Sequence, residues 1–303
     1  MTRRTIFLAP VALAAALWSA AGSPLAPQDT PRETPRDSSE TREIGRTTEK
    51  EMKVTLTSSF GSVAIAKGTP EKMVIIRSAP RHHEEPAVGV DYAIRNRIGY
   101  MDLSLGEGSR DRNGRRGFHL AGLEGGKWFL KFSDAVPISF DLELGVGRGD
   151  FDLSGLQVKD FNLSTGASDV SLAFDEPNHG SIDNMSIESG VSKFDGRNLC
   201  NANFKRFHFQ GGVGAYTLDF GGPLSSEVDV DIEVGLGVMT VYLPRDVGAR
   251  VIYDKTWASK VDTPDDFSAT AENTYTSGNY YSAAGKMNIR IDSGLGSVKI
   301  KRR

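Results

Sequence analysis

The chain has 303 residues, with 36 Lys and Arg against 39 Asp and Glu and a net charge of −3 at pH 7. The two signs are well mixed, so the basic excess on one face that a nucleic-acid-binding surface needs is missing, and no nucleic acid is expected as a partner. The single cysteine, Cys200, can form neither an intramolecular disulfide nor a cysteine-rich zinc site, and reads as a small buried hydrophobe.

Arg3 and Arg4, an apolar run from Ile6 to Trp18 and the small residues 19–22 make the three-part pattern of a secretory signal peptide over residues 1–22. The run is shorter than the about 20 apolar residues that a bilayer span takes, and no later segment is apolar enough to replace it. Export to the periplasm or the extracellular space is therefore expected, in association with the envelope or free of it, with no integral membrane span after cleavage. Residues 23–51 read as a disordered linker. From residue 27 onward that stretch is dominated by Pro, Thr, Ser, Asp, Glu and Arg with Ile44 as its one large aliphatic residue, too little apolar surface to offset the entropy of ordering.

Residues 52–136 read as an N-terminal β module. It opens with Val54 and Leu56 in alternation ahead of a turn at Ser59 and Gly61, and continues with strand-like runs over 73–77, 87–94, 100–105 and 128–132, expected to pair antiparallel. Residues 106–127, rich in Gly, Arg and Asp, read as an exposed loop.

From residue 137 the same cassette recurs: two apolar residues in alternation, a Gly anchor, a Gly or Ser two residues later, then a second alternating run. Anchors at Gly145, Gly166, Gly190, Gly212 and Gly235 lie 21 to 24 residues apart, and Gly294 and Ser59 head a sixth and a seventh copy. Alternation puts every second side chain on one strand face. A period in this range means one supersecondary unit per repeat, which buries its apolar stripe only by stacking on its neighbours. The expected fold is all-β, a parallel β-solenoid of about 22-residue coils over residues 137–303, preceded by the antiparallel strand module. The crossover rule for parallel strands makes the coil right-handed. Leu163, Ile187 and Phe209 should fall in one buried column, and the anchor glycines read as tight bends that use positive φ and leave no room for a Cβ.

An insertion at about 246–286 interrupts the repeat before the last strand completes it. Its aromatic residues Trp257, Tyr275, Tyr280 and Tyr281 stand in otherwise polar sequence. They either cap the end of the stack or form a docking site, since insertions in solenoids often carry binding and Tyr and Trp are enriched at interface hot spots.

The outward positions after the anchors place Arg148, Asp169 and Lys193 in one row and Asp150 and Asp195 in the next. Carboxylates beside Arg and Lys on a parallel β face are what a polysaccharide-active enzyme on a β-helix would use. The same pattern also arises from a solvated ladder of alternating charge. The five histidines have no metal-ligand spacing, and no nucleophile elbow, phosphate loop or zinc-protease motif occurs. The reading is non-enzymatic, with no cofactor and no metal.

Residues 137–147, 152–156, 201–204, 211–220 and 294–300 together resemble the toast-rack family of bacterial envelope proteins. That family is similar to the extracytoplasmic β-domain of LiaF-like stress regulators and to proteins provisionally called adhesins. The resemblance runs from about residue 52 to the end. It implies a β-solenoid after a family N-terminal strand module and brings no catalytic residues with it. A signal peptide in place of multiple membrane spans sets this chain apart from the regulators and speaks against direct control of a membrane kinase. The expected function is a non-catalytic secreted or envelope-associated protein that presents a rigid surface to an envelope protein or a glycan. The alternatives are a polysaccharide-active enzyme and an extracytoplasmic accessory of the envelope stress response.

Overall fold

The computed structural model of the chain describes residues 40–79, 88–106, 126–255 and 259–303. The signal-peptide segment, most of the linker, the 107–125 loop and Trp257 lie outside the described residues. Among the described residues there is no α-helix, and one 3-10 turn spans Leu199–Ala202.

Seven long strands form the spine: β2 (Glu51–Lys67), β7 (Pro137–Asp152), β8 (Gln157–Ala173), β9 (Ile182–Arg197), β10 (Phe204–Asp219), β11 (Glu227–Leu243) and β16 (Lys286–Arg302). They pair in that order, every neighbour parallel, and they coincide with the seven cassettes. A straight strand as long as β7, 16 residues, would reach about 50 Å. Yet only residues 153–156 separate its end from the start of β8, a span well under 20 Å. Each long strand therefore doubles back at its Gly anchor, and its two halves face each other across the core. The rings of Phe209 and Tyr216, one from each half of β10, meet at 5.2 Å.

Alternation does the rest. Leu142, Leu163, Ile187, Phe209, Ile232 and Ile291 are in register and buried in one column, and Val170, Phe194, Tyr216, Met239 and Val298 form the facing one. The expectation for Leu163, Ile187 and Phe209 holds, and the C-terminal strand joins the same stack, as expected.

Of the two reasons expected for the anchor glycines, the lack of room for a Cβ holds and positive φ does not. A Cβ on Gly166 would stand 2.5 Å from the Gly145 carbonyl oxygen, and one on Gly190 would stand 2.7 Å from that of Gly166. Each corner thus rests on the backbone of the one before it. Positive φ occurs two residues later, at 146° for Gly147 and 151° for Gly237. Ser59 is tolerated as an anchor because its Cβ points toward a coil that is broken at that level. On that side of β2, β5 (Ile98–Leu105) pairs only as far as Ser58 and β6 (Lys127–Phe132) begins at Ser62.

Both ends of the spine are finished by such split coils. At the N-terminal end, β5 and β6 run parallel to β2, contrary to the antiparallel expectation. Antiparallel pairing appears one strand further out, where β4 (Val88–Arg95) joins β5, and where β3 (Lys72–Ala79) joins β6 and β1 (Glu40–Gly45) joins β3. Residues 40–45 were expected in the linker. They are ordered as β1 because the β3 edge supplies backbone partners and Ile44 packs on the core. Glu49 is buried next to β1 and accepts the Tyr92 hydroxyl at 2.5 Å. Burial works to raise its pKa, but hydrogen bonds from Tyr92 and Thr47 prevail and hold the carboxyl below its ordinary range.

At the C-terminal end, β12 (Gly248–Lys255) covers the first half of β16 and β13 (Ser259–Asp262) covers the second half. Outside them, β15 (Thr274–Ser277) pairs antiparallel with β12, and β14 (Phe267–Ala271) pairs with β15. The chain thus leaves β11, builds the end coil, and returns to insert β16 between β11 and β12.

Cys200 is buried in the short turn between β9 and β10. Burial pushes its thiol up to about 12, with Asp219 and Asp246 adding to the rise, so the nucleophilic thiolate is scarce at neutral pH. Ellman's reagent is expected to find no thiol in the native protein and one per chain after denaturation in guanidinium chloride. A full equivalent under native conditions would overturn this placement.

Candidate functional site

On the outward face of the first strand halves, polar side chains stack in rows as regularly as the apolar ones do inside. Asn184, Arg206, Asp229, Asn288 and Arg250 stand side by side in register from β9 across β10, β11 and β16 to β12. One step along, Ser186, His208, Asp231, Arg290 and Ile252 form a second row. Together these rows line a groove of about 600 Å³.

Hydrogen bonds organise the groove. The Tyr280 hydroxyl donates to Asn288 Oδ1 at 2.8 Å, which turns the Asn288 amide nitrogen toward Glu227 Oε1 at 2.8 Å and Asp229 Oδ1 at 3.3 Å. Arg206 Nε donates to Asn184 Oδ1 at 2.6 Å, and His208 Nδ1 stands 3.9 Å from Asp231 Oδ2. The Arg250 guanidinium lies over the Tyr280 ring at 4.4 Å, a cation–π arrangement that fixes its plane. Burial raises the Tyr280 phenol above its ordinary pKa, while Arg250 opposes the rise. Among the described residues, none of Arg206, Arg250 and Arg290 is in an ion pair. Three planar guanidinium groups are thereby left to a ligand, which suits bidentate capture of carboxylate or paired hydroxyl oxygens.

The aromatic residues of the insertion take different places. Tyr280 is 5% exposed and holds the end coil, whereas Tyr281, packed edge-on against it at 5.3 Å, is 79% exposed. Tyr275 is partly buried on β15 against the core.

The charged residues read from the sequence are also in register. Arg148, Asp169 and Lys193 form one outward row on the second halves of β7, β8 and β9. Asp150 and Asp195 flank Ser171 in the next. No ion pair or hydrogen bond joins them among the described residues, and they do not line the groove, which lies on the opposite halves of the strands. Neither set holds a cluster of His, Cys, Asp or Glu able to bind a metal ion among the described residues.

The groove residues were missed because only the outward positions after the anchors were followed. The same alternation before the anchors points to Arg206, His208, Asp231 and Arg290. Arg250 carried no sequence signal at all, since β12 is not a cassette and reaches Asn288 only through the return of β16.

The description "N-terminal domain of toast_rack, DUF2154" matches residues 32–196. Among solved structures, the chain is similar to a protein provisionally named a cell adhesion protein from Clostridium sporogenes, at 19% identity and a TM-score of 0.44, covering 88% of this chain and 99% of that one. It is also similar to a provisionally named adhesin from Bacteroides fragilis, at 13% identity and a TM-score of 0.35, covering 88% and 98%. No curated protein matches the chain.

Proposed function

The chain belongs to the toast-rack family, and from that premise we propose that it is a non-catalytic, exported protein of the bacterial envelope that binds acidic glycans in the groove formed by β9, β10, β11, β16 and β12. The observation that carries this reading is the set of three guanidinium groups without carboxylate partners among the described residues around one groove, with an exposed Tyr281 packed on the ring that carries Arg250. A pyranose ring stacks on a tyrosine face while its carboxylate and hydroxyls take fixed polar partners, the mixture of apolar platform and a few placed polar groups that small-molecule sites share. Ser186, His208 and Asp231 stand in register, but no hydrogen bond joins Ser186 to His208 among the described residues, so the groove suits binding rather than turnover.

On the same reading, residues 1–22 direct export, and residues 52–136, with β1 added, form a strand module within the family's N-terminal domain. The racked strands are then coils of a right-handed solenoid of about 22 residues each. The stacking of Phe140, Phe161, Met185 and Phe207 supports that coil length.

Calorimetry with alginate oligosaccharides, which carry uronate carboxylates, and with neutral cellohexaose tests the proposal. The uronate ligand should bind and the neutral one should not. Arg250→Ala with Arg290→Ala should weaken binding at least tenfold, and Tyr281→Ala by roughly fivefold, in line with about 1 kcal/mol for an aromatic platform. Binding that survives both changes, absence of uronate binding, or shortening of the oligosaccharide during the titration would overturn it.

A further inference from the structure

The corner of every long strand carries a second regularity that glycan binding does not use. The residue after each anchor is apolar and turned outward: Val146, Val191, Val213, Leu236 and Leu295 are 46%, 63%, 45%, 46% and 46% exposed. Pairing sets them in a single file, with Ala167 between Val146 and Val191 and with Phe60 beyond Val146 at the N-terminal end. At about 4.8 Å per strand, seven strands make a ridge about 29 Å long. A corner that had only to turn would accept polar side chains here, as the outward row on the side of the first halves does.

The flanks differ in charge. On the side of the first halves, Glu143, Glu188, Glu233 and Asp292 alternate with Ser164 and Gln210 in register. That row contains no basic residue, and none of its carboxylates is in an ion pair among the described residues. On the other side Arg148 and Lys193 bracket Asp169.

From this geometry we infer that the ridge is a docking surface for one cationic amphipathic peptide helix of about twenty residues. Three features select that occupant. The ridge has the length of a helix of about 20 residues at 1.5 Å per residue. Its width of one side chain fits the apolar stripe of a single helix, with Lys or Arg at the stripe's edge facing the carboxylate row. Its apolar area, on the order of 500 Å², is at the size where an exposed patch on a monomer is commonly functional, but falls short of the roughly 800 Å² per partner that a stable dimer buries. The acidic row also repels an anionic lipid surface, which draws in basic segments instead.

The test uses the full mature chain and a fluorescein-labelled 20-residue Leu/Lys amphipathic helix, followed by anisotropy. The wild type should bind it, more weakly as salt is raised, while a Leu/Glu helix of the same pattern should not bind. Val191→Ser with Val213→Ser and Leu236→Ser should weaken binding at least tenfold. These side chains are already exposed, so the thermal midpoint should hold. Glu143→Gln with Glu188→Gln and Glu233→Gln should weaken binding severalfold and flatten the salt dependence, and Tyr281→Ala should leave it unchanged. The inference is overturned if the Ser variant binds equally well or the Leu/Glu helix binds comparably. It is also overturned if phosphatidylglycerol vesicles capture the protein through the ridge, or if the wild type sediments as a dimer that the Ser variant loses.

Discussion

Replacing Gly190 by Ala is expected to destabilise the folded chain by about 2–3 kcal/mol, the range in which overpacking of a rigid site falls, and to lower the thermal midpoint by roughly 5–10 °C for a domain of this size. The added methyl group would meet the Gly166 carbonyl oxygen at 2.7 Å and the Thr165 carbonyl oxygen at 3.2 Å. Both are backbone atoms, so no rotamer change relieves the clash. The strand would have to lift away from β8, and β8 and β9 are held in register along most of their length. Ser59→Ala is the control for an Ala at an anchor position, because that corner already holds a Cβ and no strand pairs with residues 59–61 on the side it faces among the described residues. It should change the midpoint by no more than a degree or two. Thermal unfolding followed by circular dichroism decides the matter. Equal midpoints for Gly190→Ala and the wild type would mean that the corners do not stack this closely.

Ending the chain at Gly285, and so deleting β16, should abolish cooperative folding. β16 pairs with β11 over its whole length on one side and with β12 and β13 on the other, so its loss both parts the end coil from the spine and bares the edge of β11. It also removes Met287, Ile289, Ile291, Val298 and Ile300 from the core. At about 1.5–3 kcal/mol for each buried side chain, that is on the order of 10 kcal/mol, as much as the whole stability of a typical domain. A bared edge as long as β11, 17 residues, also invites pairing between chains. The truncated protein is expected in the insoluble fraction, or soluble with a broad, non-cooperative melt and rapid cleavage by trypsin. A soluble truncation with a sharp melt would show that β16 is not an internal strand.

The cassette could be read from the residues because alternation and spacing are local properties. Val or Phe two positions before Leu142, Leu163 or Ile232 already says which side chains share a face, and an equal interval says that the faces line up. Strand direction leaves no such mark. The apolar residues Met101, Leu103 and Leu105 of β5, like Trp128, Leu130 and Phe132 of β6, alternate in the same way whether their partner runs parallel or antiparallel, and their parallel pairing with β2 was not anticipated. In residues 40–45 local composition misled outright. Ile44 is one apolar residue in a polar stretch, and order there comes from the hydrogen-bonding edge of β3, a partner some thirty residues away.

The candidate sites divide along the same line. Tyr280 and Tyr281 are neighbours of one residue type, and no sequence argument separates them, yet one is buried between Asn288, Arg250 and its neighbour's ring while the other faces solvent. The ridge was written in the sequence as the apolar residue after each anchor, but alternation alone would have assigned it to the core. Only the doubling back of each strand at the corner turns it outward. By itself, the sequence determined the all-β class, the seven cassettes, the identity of the buried columns and the stacking order of the five contiguous repeats, since each follows from side-chain period and repeat interval. Tertiary structure alone decided that β16 lies between β11 and β12, that Arg250 joins the groove, and that β5 and β6 run parallel to β2. Each of these depends on which distant segment comes to lie alongside, and the energy that selects it is summed over the whole stack rather than held in any one stretch of chain.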